Sequence, residues 1–466
     1  MLSDKKNKIV CTIGPSSWVP EVMEKMIDAG MNCARYNGAF ADWDSLEKVT
    51  KLVRDLDSKV ALMIDVKGPQ IRMNNFAEAV EVKIGDEFVI GSKAEHGVFT
   101  ETYPDLYKYL KPGQKLLLGD GDTELEIVEI KDSKMFTKVT FGTKVKPGKG
   151  ITAPGAEYPT VVLTEKDKEN IENCKKLGWD FVSASFIRNA KDALEVKEVI
   201  DGEMQLIAKI ENEEGVENIK EIVDEVDGIM IGRGDLGLQL GLERVPMVQR
   251  IAVAACNEMS KPVITATQML ESMIEAPKPT RGEANDVATA ILMGTDCTML
   301  SAETTTGKYP VEAVSFMTKI SYEIEKYNMP QIIDSDSNHS VVAEALTKAG
   351  AELCINLGDE IKAIICVTST GNMARLLSRH SLDQNMYAFV ENEKVMRQLA
   401  LTKGVNEAFL FEGLGDKSSD RDVSVEVVRE KVKELGLAKE GEKIFLISKS
   451  HEGSTFFTGV FEVVTI

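Results

Sequence analysis

Two short apolar runs carry charge at their ends. LIAKIENEEG brings Lys209 and Glu211, and IMIGRGDLG, which follows it, brings Asp235. A cation and two carboxylates closing strands that otherwise read as core are costly to desolvate unless paired or bound to metal. A divalent ion is the simplest partner. The chemistry implied is metal-assisted work on a phosphate or an enolate, with the lysine stabilising negative charge that develops on an oxygen. Other strand ends add to this set: Arg35 and Asn37, then Asp65, Lys67 and Arg72, then Thr267, then Ser301 and Glu303. Arginines in such company neutralise phosphate. Gly234 and Asp235 open a turn whose backbone N–H groups suit a substrate carboxylate. A structural ion pair is the competing reading of Glu211 with Asp235, and a plain salt bridge that of Arg35 or Arg72 taken singly; only the ensemble is specific.

These groups need a scaffold that gathers strand ends. Eight β-branched, apolar runs recur along the chain: KIVCTIG, MNCARYN, VALMIDV, FVSASFI, QLIAKIE, GIMIGRGD, PVITATQ and CTMLSAE. Helical stripes lie between them, as in Val22, Met23, Met26 and Ile27 before Gly30, or Val216, Ile219, Ile222 and Val223. Strand, helix, strand repeated in this way predicts a (β/α)8 barrel, whose catalytic groups sit at the carboxyl ends of its strands. Between the third and fourth runs lie roughly ninety residues with alternating patterns such as EAVEVKIGDEFVIG and TELEIVEI. They predict a small β-barrel domain, either a mobile lid over the barrel mouth, hinged at KGPQ and KPGKGITAPG, or a rigid decoration. After a polar linker, EKYNMPQIIDSDSNHS, a new series of strands and helices predicts a C-terminal α/β domain ending in antiparallel strands. The expected division is 1–66 and 158–330 for the barrel, 67–157 for the insert and 331–466 for the last domain. In that domain TSTGN, at a helix start, is either a phosphate-binding turn or a simple connection.

Composition narrows the function classes. The chain has 466 residues, and 75 acidic against 55 basic ones give a net charge of −20, which disfavours nucleic acid and anionic membranes as partners. Seven cysteines, none in a CxxC spacing, read as reduced core thiols of a cytoplasmic protein. No apolar stretch is long enough to span a membrane, and no secretory leader is expected.

The motifs KIVCTIGPSS, ARYN, DVKGPQIR, SFIR, AKIEN, GRGDLG, ATQMLESM, PTRGEANDVA and MLSAETTTGKYP occur in an order that resembles pyruvate kinases over essentially the whole chain. The resemblance implies transfer of phosphate from phosphoenolpyruvate to ADP and protonation of the enolate. It assigns Glu211 and Asp235 to Mg2+ or Mn2+, and Lys209 and Arg35 to the transferring phosphate. Thr267 falls on the enolate methylene, protonating it through water, since a hydroxyl is a poor direct acid. The Gly234 and Asp235 backbone takes the substrate carboxylate. Pro15, Arg35, Asn37, Arg72 and Lys149 fall on the nucleotide side, Asp120 and Lys149 belonging to the lid. A homotetramer is implied, with the PTRGEANDVA helix where barrels meet.

This chain also departs from the family pattern. Where potassium-requiring members have Asn, Ser, Asp and Thr, it has Asn37, Ala39, Asp65 and Val66, so two oxygen ligands are missing and potassium is expected to bind poorly. Gln70 stands where potassium-independent members carry a lysine, and Phe40 replaces a histidine, which lowers the expected nucleotide affinity. Two other readings compete: a catalytically weak paralogue that binds nucleotide or metabolite, and a metal-dependent aldol lyase on a related barrel.

Overall fold

The computed structural model describes residues 5–74, 76, 78–91, 99–103, 105–119, 121–156, 158–327, 329–334, 341–411, 425–448 and 461–466. Eight parallel strands form a closed barrel: β1 (Lys8–Thr12), β2 (Cys33–Asn37), β3 (Ala61–Val66), β4 (Phe181–Ala184), β5 (Gln205–Ile210), β6 (Gly228–Gly232), β7 (Val263–Ala266) and β8 (Cys297–Leu300). Each pairs with its neighbours in sequence, and β8 pairs with β1. All eight expected runs are strands. They are buried on both faces, as parallel strands under a ring of helices must be, which is why they read as continuous apolar stretches.

The helices between them are cut by local signals. Asp42 caps Trp43–Leu56 and Thr280 caps Arg281–Leu292, each in a reciprocal capping box with the residue three positions on. The stripe read before Gly30 lies on Pro20–Asp28, where Met23 and Met26 are fully buried.

The insert leaves after β3. Its sheet runs Ile151–Thr152, Lys115–Leu118, Thr123–Lys131, Lys134–Phe141, Glu87–Gly91, Phe99–Glu101, Met73–Asn74. The two outer strands meet at the root: Arg72 bridges Gly150, and Met73 N–H donates to Lys149 O at 3.0 Å. The entering and departing chains thus hold each other beside the barrel mouth.

Among the described residues the last domain has five strands, four parallel and, at one edge, Phe461–Thr465 antiparallel to Lys443–Ser448, as expected. It also completes the barrel. Leu401, in the short 3-10 turn Leu399–Leu401, is fully buried in the barrel's own interior cluster with Val10, Cys33, Met63, Phe181, Ile207 and Met230. Polar contacts seat this stopper at the amino end of the strands. Arg397 Nε donates to Asp180 Oδ1 at 2.7 Å, and Lys403 N–H donates to Asp296 Oδ1 at 3.1 Å.

Candidate active site

At the opposite end, the carboxyl termini of the strands bring most of the expected residues into one network. Parallel register aligns Asn37 with Asp65, and Asp65 with Ser183, so the groups following each strand face a common mouth. Lys209 and Glu211 lie two residues apart, one at the end of β5 and one just beyond it. Lys209 Nζ donates to Ser185 Oγ at 2.7 Å and lies 3.0 Å from Glu211 Oε1 and 3.4 Å from Asp65 Oδ1. Arg35 Nε reaches the other oxygen of Asp65 at 2.7 Å, and its Nη1 donates to Thr12 Oγ1 at 2.7 Å. The result is a buried strip of alternating charge: Arg35, Asp65, Lys209, Glu211.

Burial and charge act against each other along this strip. For Lys209, burial favours the neutral amine, but Asp65 and Glu211 outweigh it and hold the ammonium with a pKa of about 12. Burial likewise opposes ionisation of Asp65, and Arg35 with Lys209 override it, so its pKa lies below the ordinary value. Glu211 is the weak member. Burial, aided by the charges of Asp235 and Asp65, pushes its pKa up to about 7 against the pull of Lys209.

Glu211 is also closely packed. Its Oε2 accepts the Phe186 N–H at 3.1 Å, and a Cβ added at Gly232 would lie 2.4 Å from its Oε1, so only glycine fits at the end of β6. Asp235 lies in the first turn of the helix Arg233–Leu240 and close enough to influence both Lys209 and Glu211. The sequence suggested a turn here with free donors. The segment is instead helical from Arg233, and the Gly234 N–H donates to Thr267 Oγ1 at 2.9 Å. Among the described residues no three His, Cys, Asp or Glu side chains converge to form a metal cage. Two carboxylates, one of them at a raised pKa, nevertheless fit Mg2+, which takes one or two carboxylates and completes its shell with water and substrate oxygens.

The lid root carries a second basic group. Arg72 donates to Gly148 O at 2.7 Å and to Gln70 Oε1 at 2.6 Å, and Lys149 is its neighbour across the root. Lys67 lies close by, its pKa lowered by burial and then by Arg72. Its Nζ stands 5.8 Å from the ring centroid of Phe40, which is 75% exposed on the rim. Pro15 is exposed in the turn after β1. Asp120 lies outside the described residues.

The side chains expected around a monovalent ion have partners within the protein. Asn37 Oδ1 accepts the Ala39 N–H at 3.0 Å, and both oxygens of Asp65 face Arg35 and Lys209. Glu303, grouped with the mouth from sequence, instead accepts the Leu270 and Ser301 N–H groups at 3.1 and 2.7 Å and braces the loop after β7. In TSTGN, the Gly371 N–H donates to Thr368 Oγ1 at 3.0 Å and the Asn372 N–H to Thr370 Oγ1 at 3.4 Å, so two of the turn's donors are met within it.

Sequence reasoning missed two residues. Ser185 lies inside the SFIR motif, and a serine after a buried strand was a readable signal. Arg233 was passed over within GRGDLG; it donates to backbone carbonyls of a loop 34 positions on, which no side-chain pattern announces, and to Asp286.

Comparison with known proteins agrees with this geometry. Residues 4–314 match the family model "Pyruvate kinase, barrel domain", and residues 344–464 match "Pyruvate kinase, alpha/beta domain". The chain is 36% identical to the pyruvate kinase of Clostridium perfringens over 95% of its own length and 96% of that protein. It is also 36% identical to that of Geobacillus stearothermophilus, over 99% and 80%. A crystal structure of a pyruvate kinase from Cryptosporidium parvum superposes with a TM-score of 0.87 at 31% identity, covering 99% of this chain and 97% of that one. No helix among the described residues is long and apolar enough to cross a membrane. The chain belongs to the pyruvate kinase family and is a phosphotransferase.

Proposed function

We propose that the chain moves the phosphoryl group of phosphoenolpyruvate to ADP and then protonates the enolate, giving pyruvate and ATP. The observation that carries this reading is Lys209, held as an ammonium between Asp65, Glu211 and Ser185 beside a carboxylate pair. In this reading Lys209 and Arg35 neutralise the phosphoryl group in flight, and Lys209 also stabilises the enolate oxygen. Glu211 and Asp235 hold Mg2+ or Mn2+, which when bound draws charge off the substrate oxygens. Thr267 stands on the side of the methylene carbon and orders the water that delivers the proton. The first turn of the helix Arg233–Leu240, with Gly234 and Asp235, receives the substrate carboxylate, which shares the Gly234 N–H with Thr267 Oγ1.

Arg72 and Lys149 at the lid root, with Arg35, Asn37 and Pro15 on the rim, take the nucleotide. The insert, 67–157, closes over the mouth as a lid; the barrel is 1–66 with 158–330, and the C-terminal domain is 331–466. Potassium adds little, because Ala39 and Val66 offer no side-chain oxygen, Asn37 caps its own turn and Asp65 is taken up by two cations. The assembly is a cytoplasmic homotetramer.

The test is pyruvate formation from phosphoenolpyruvate and ADP with Mg2+, run in potassium and again in Tris buffer. Turnover is expected in both, with potassium stimulating less than about tenfold, some 1.4 kcal/mol of barrier. Stimulation of a hundredfold, about 2.7 kcal/mol, would overturn the potassium reading. No turnover in either buffer would sink the proposed reaction and leave a binding paralogue.

A further inference from the structure

Thr267 and Gln268 are consecutive non-glycine residues in the left-handed region, at φ of 67° and 52°. Each such residue costs about 1–2 kcal/mol, and a β-branched threonine is an outlier there. Strain of this kind persists only where the surroundings impose it. Here one side chain faces the whole strained segment. The Arg233 Nε donates to Ala266 O at 3.1 Å and to Thr267 O at 3.2 Å, and Nη2 donates to Gln268 O at 3.3 Å. The remaining edge is fixed from behind by Asp286 at 2.8 Å, on the helix Arg281–Leu292, and by Gln249 Oε1 at 3.4 Å. A guanidinium presents its donors in a rigid planar fork, and an ammonium cannot reproduce that spread. The next residue, Gly234, donates its N–H to Thr267 Oγ1, and that hydroxyl donates to Ala266 O at 2.7 Å. Arg233 therefore sets the backbone that carries Thr267, and Gly234 sets its hydroxyl.

We propose that Arg233 is a positioning residue for the proton-transfer side of the reaction: its guanidinium holds Thr267 in the left-handed conformation that turns its hydroxyl toward the substrate carbon. The inference rests on the role given to Thr267 above. Arg233→Lys keeps the charge opposite Asp286 and loses the fork. It should lower kcat by about 10- to 100-fold, the scale of a small displacement at a reacting centre, with the KM for phosphoenolpyruvate nearly unchanged. Exchange of pyruvate methyl protons into D2O should slow by the same factor, while Mn2+ affinity stays constant. A residue acting only through Thr267 loses its effect once Thr267 is gone, so Arg233→Lys should change little in a Thr267→Ala background. If the two losses multiply, the inference is overturned while the reaction stands. If Thr267→Ala alone leaves kcat intact, the role of Thr267 and this inference fall together. Should Arg233→Lys not fold, Asp286→Asn loosens the same guanidinium and should give a smaller loss of the same kind; a rise in KM with kcat unchanged there would also overturn it.

Discussion

At the amino end of the barrel Asp180 accepts from Arg54 at 2.9 Å, from Arg397 at 2.7 Å and from the Leu62 N–H at 2.8 Å, while Leu401 fills the space between the strands. At the carboxyl end Glu211 is as deeply buried, yet it shares Lys209 with Asp65 and has a pKa near 7. The same eight strands thus support one end where a buried carboxylate has cations of its own and another where it lacks a full share of positive charge. Complete pairing rigidifies, and incomplete pairing leaves room for a cation that arrives with the substrate. The contrast sets a fully paired end of the barrel against the end to which we assign the chemistry, within a few strand residues of each other.

Three measurements would break or sharpen this contrast. Lys209→Met removes the charge proposed to stabilise the transition state and should lower kcat by about 10³-fold, near 4 kcal/mol of barrier, with Mn2+ still bound. Unchanged turnover would remove Lys209 from the chemistry. Leu401→Ala at the other end should lower the free energy of unfolding in urea by about 2–3 kcal/mol with kcat and KM close to wild type. A loss of kcat with stability intact would show that the two ends are not separable.

The smallest effect is on pH dependence. The pKa of Glu211 rises from the ordinary 4.5 to about 7 on folding, so the folded chain binds the extra proton and its stability falls as pH rises through that window. A divalent ion needs the same oxygen ionised, so Mn2+ affinity should fall below pH 7 by up to about tenfold per unit. Glu211→Gln should flatten that slope, and an equal slope in the variant would place the titrating group elsewhere.

Much of this was legible in the sequence, and the reasons differ by residue. Lys209 and Glu211 could be read because polar residues two apart at the end of an apolar strand share one face. The closed barrel followed from repetition. The stopper could not be read. Leu401 is an ordinary leucine in QLALTKG, and nothing local distinguishes packing within its own domain from packing inside another. The surroundings of Asp65 were only half legible: Ala39 and Val66 plainly carry no side-chain oxygen, but the pairing of Asp65 with Arg35 and Lys209 depends on rotamers that no spacing encodes. Arg233 was hidden because many of its partners are carbonyl groups, which every residue has, and its carboxylate partner, Asp286, lies 53 positions away.

The position of Leu401 also sets a schedule. The residue that floors the barrel comes about a hundred positions after β8, the last barrel strand. A ribosome adding about 5–20 residues per second delivers that floor about 5–20 s after the ring is complete. Throughout that interval the nascent barrel has an apolar interior open at one end, the exposure that chaperones recognise. The floor of the barrel therefore closes only after the whole ring has been made.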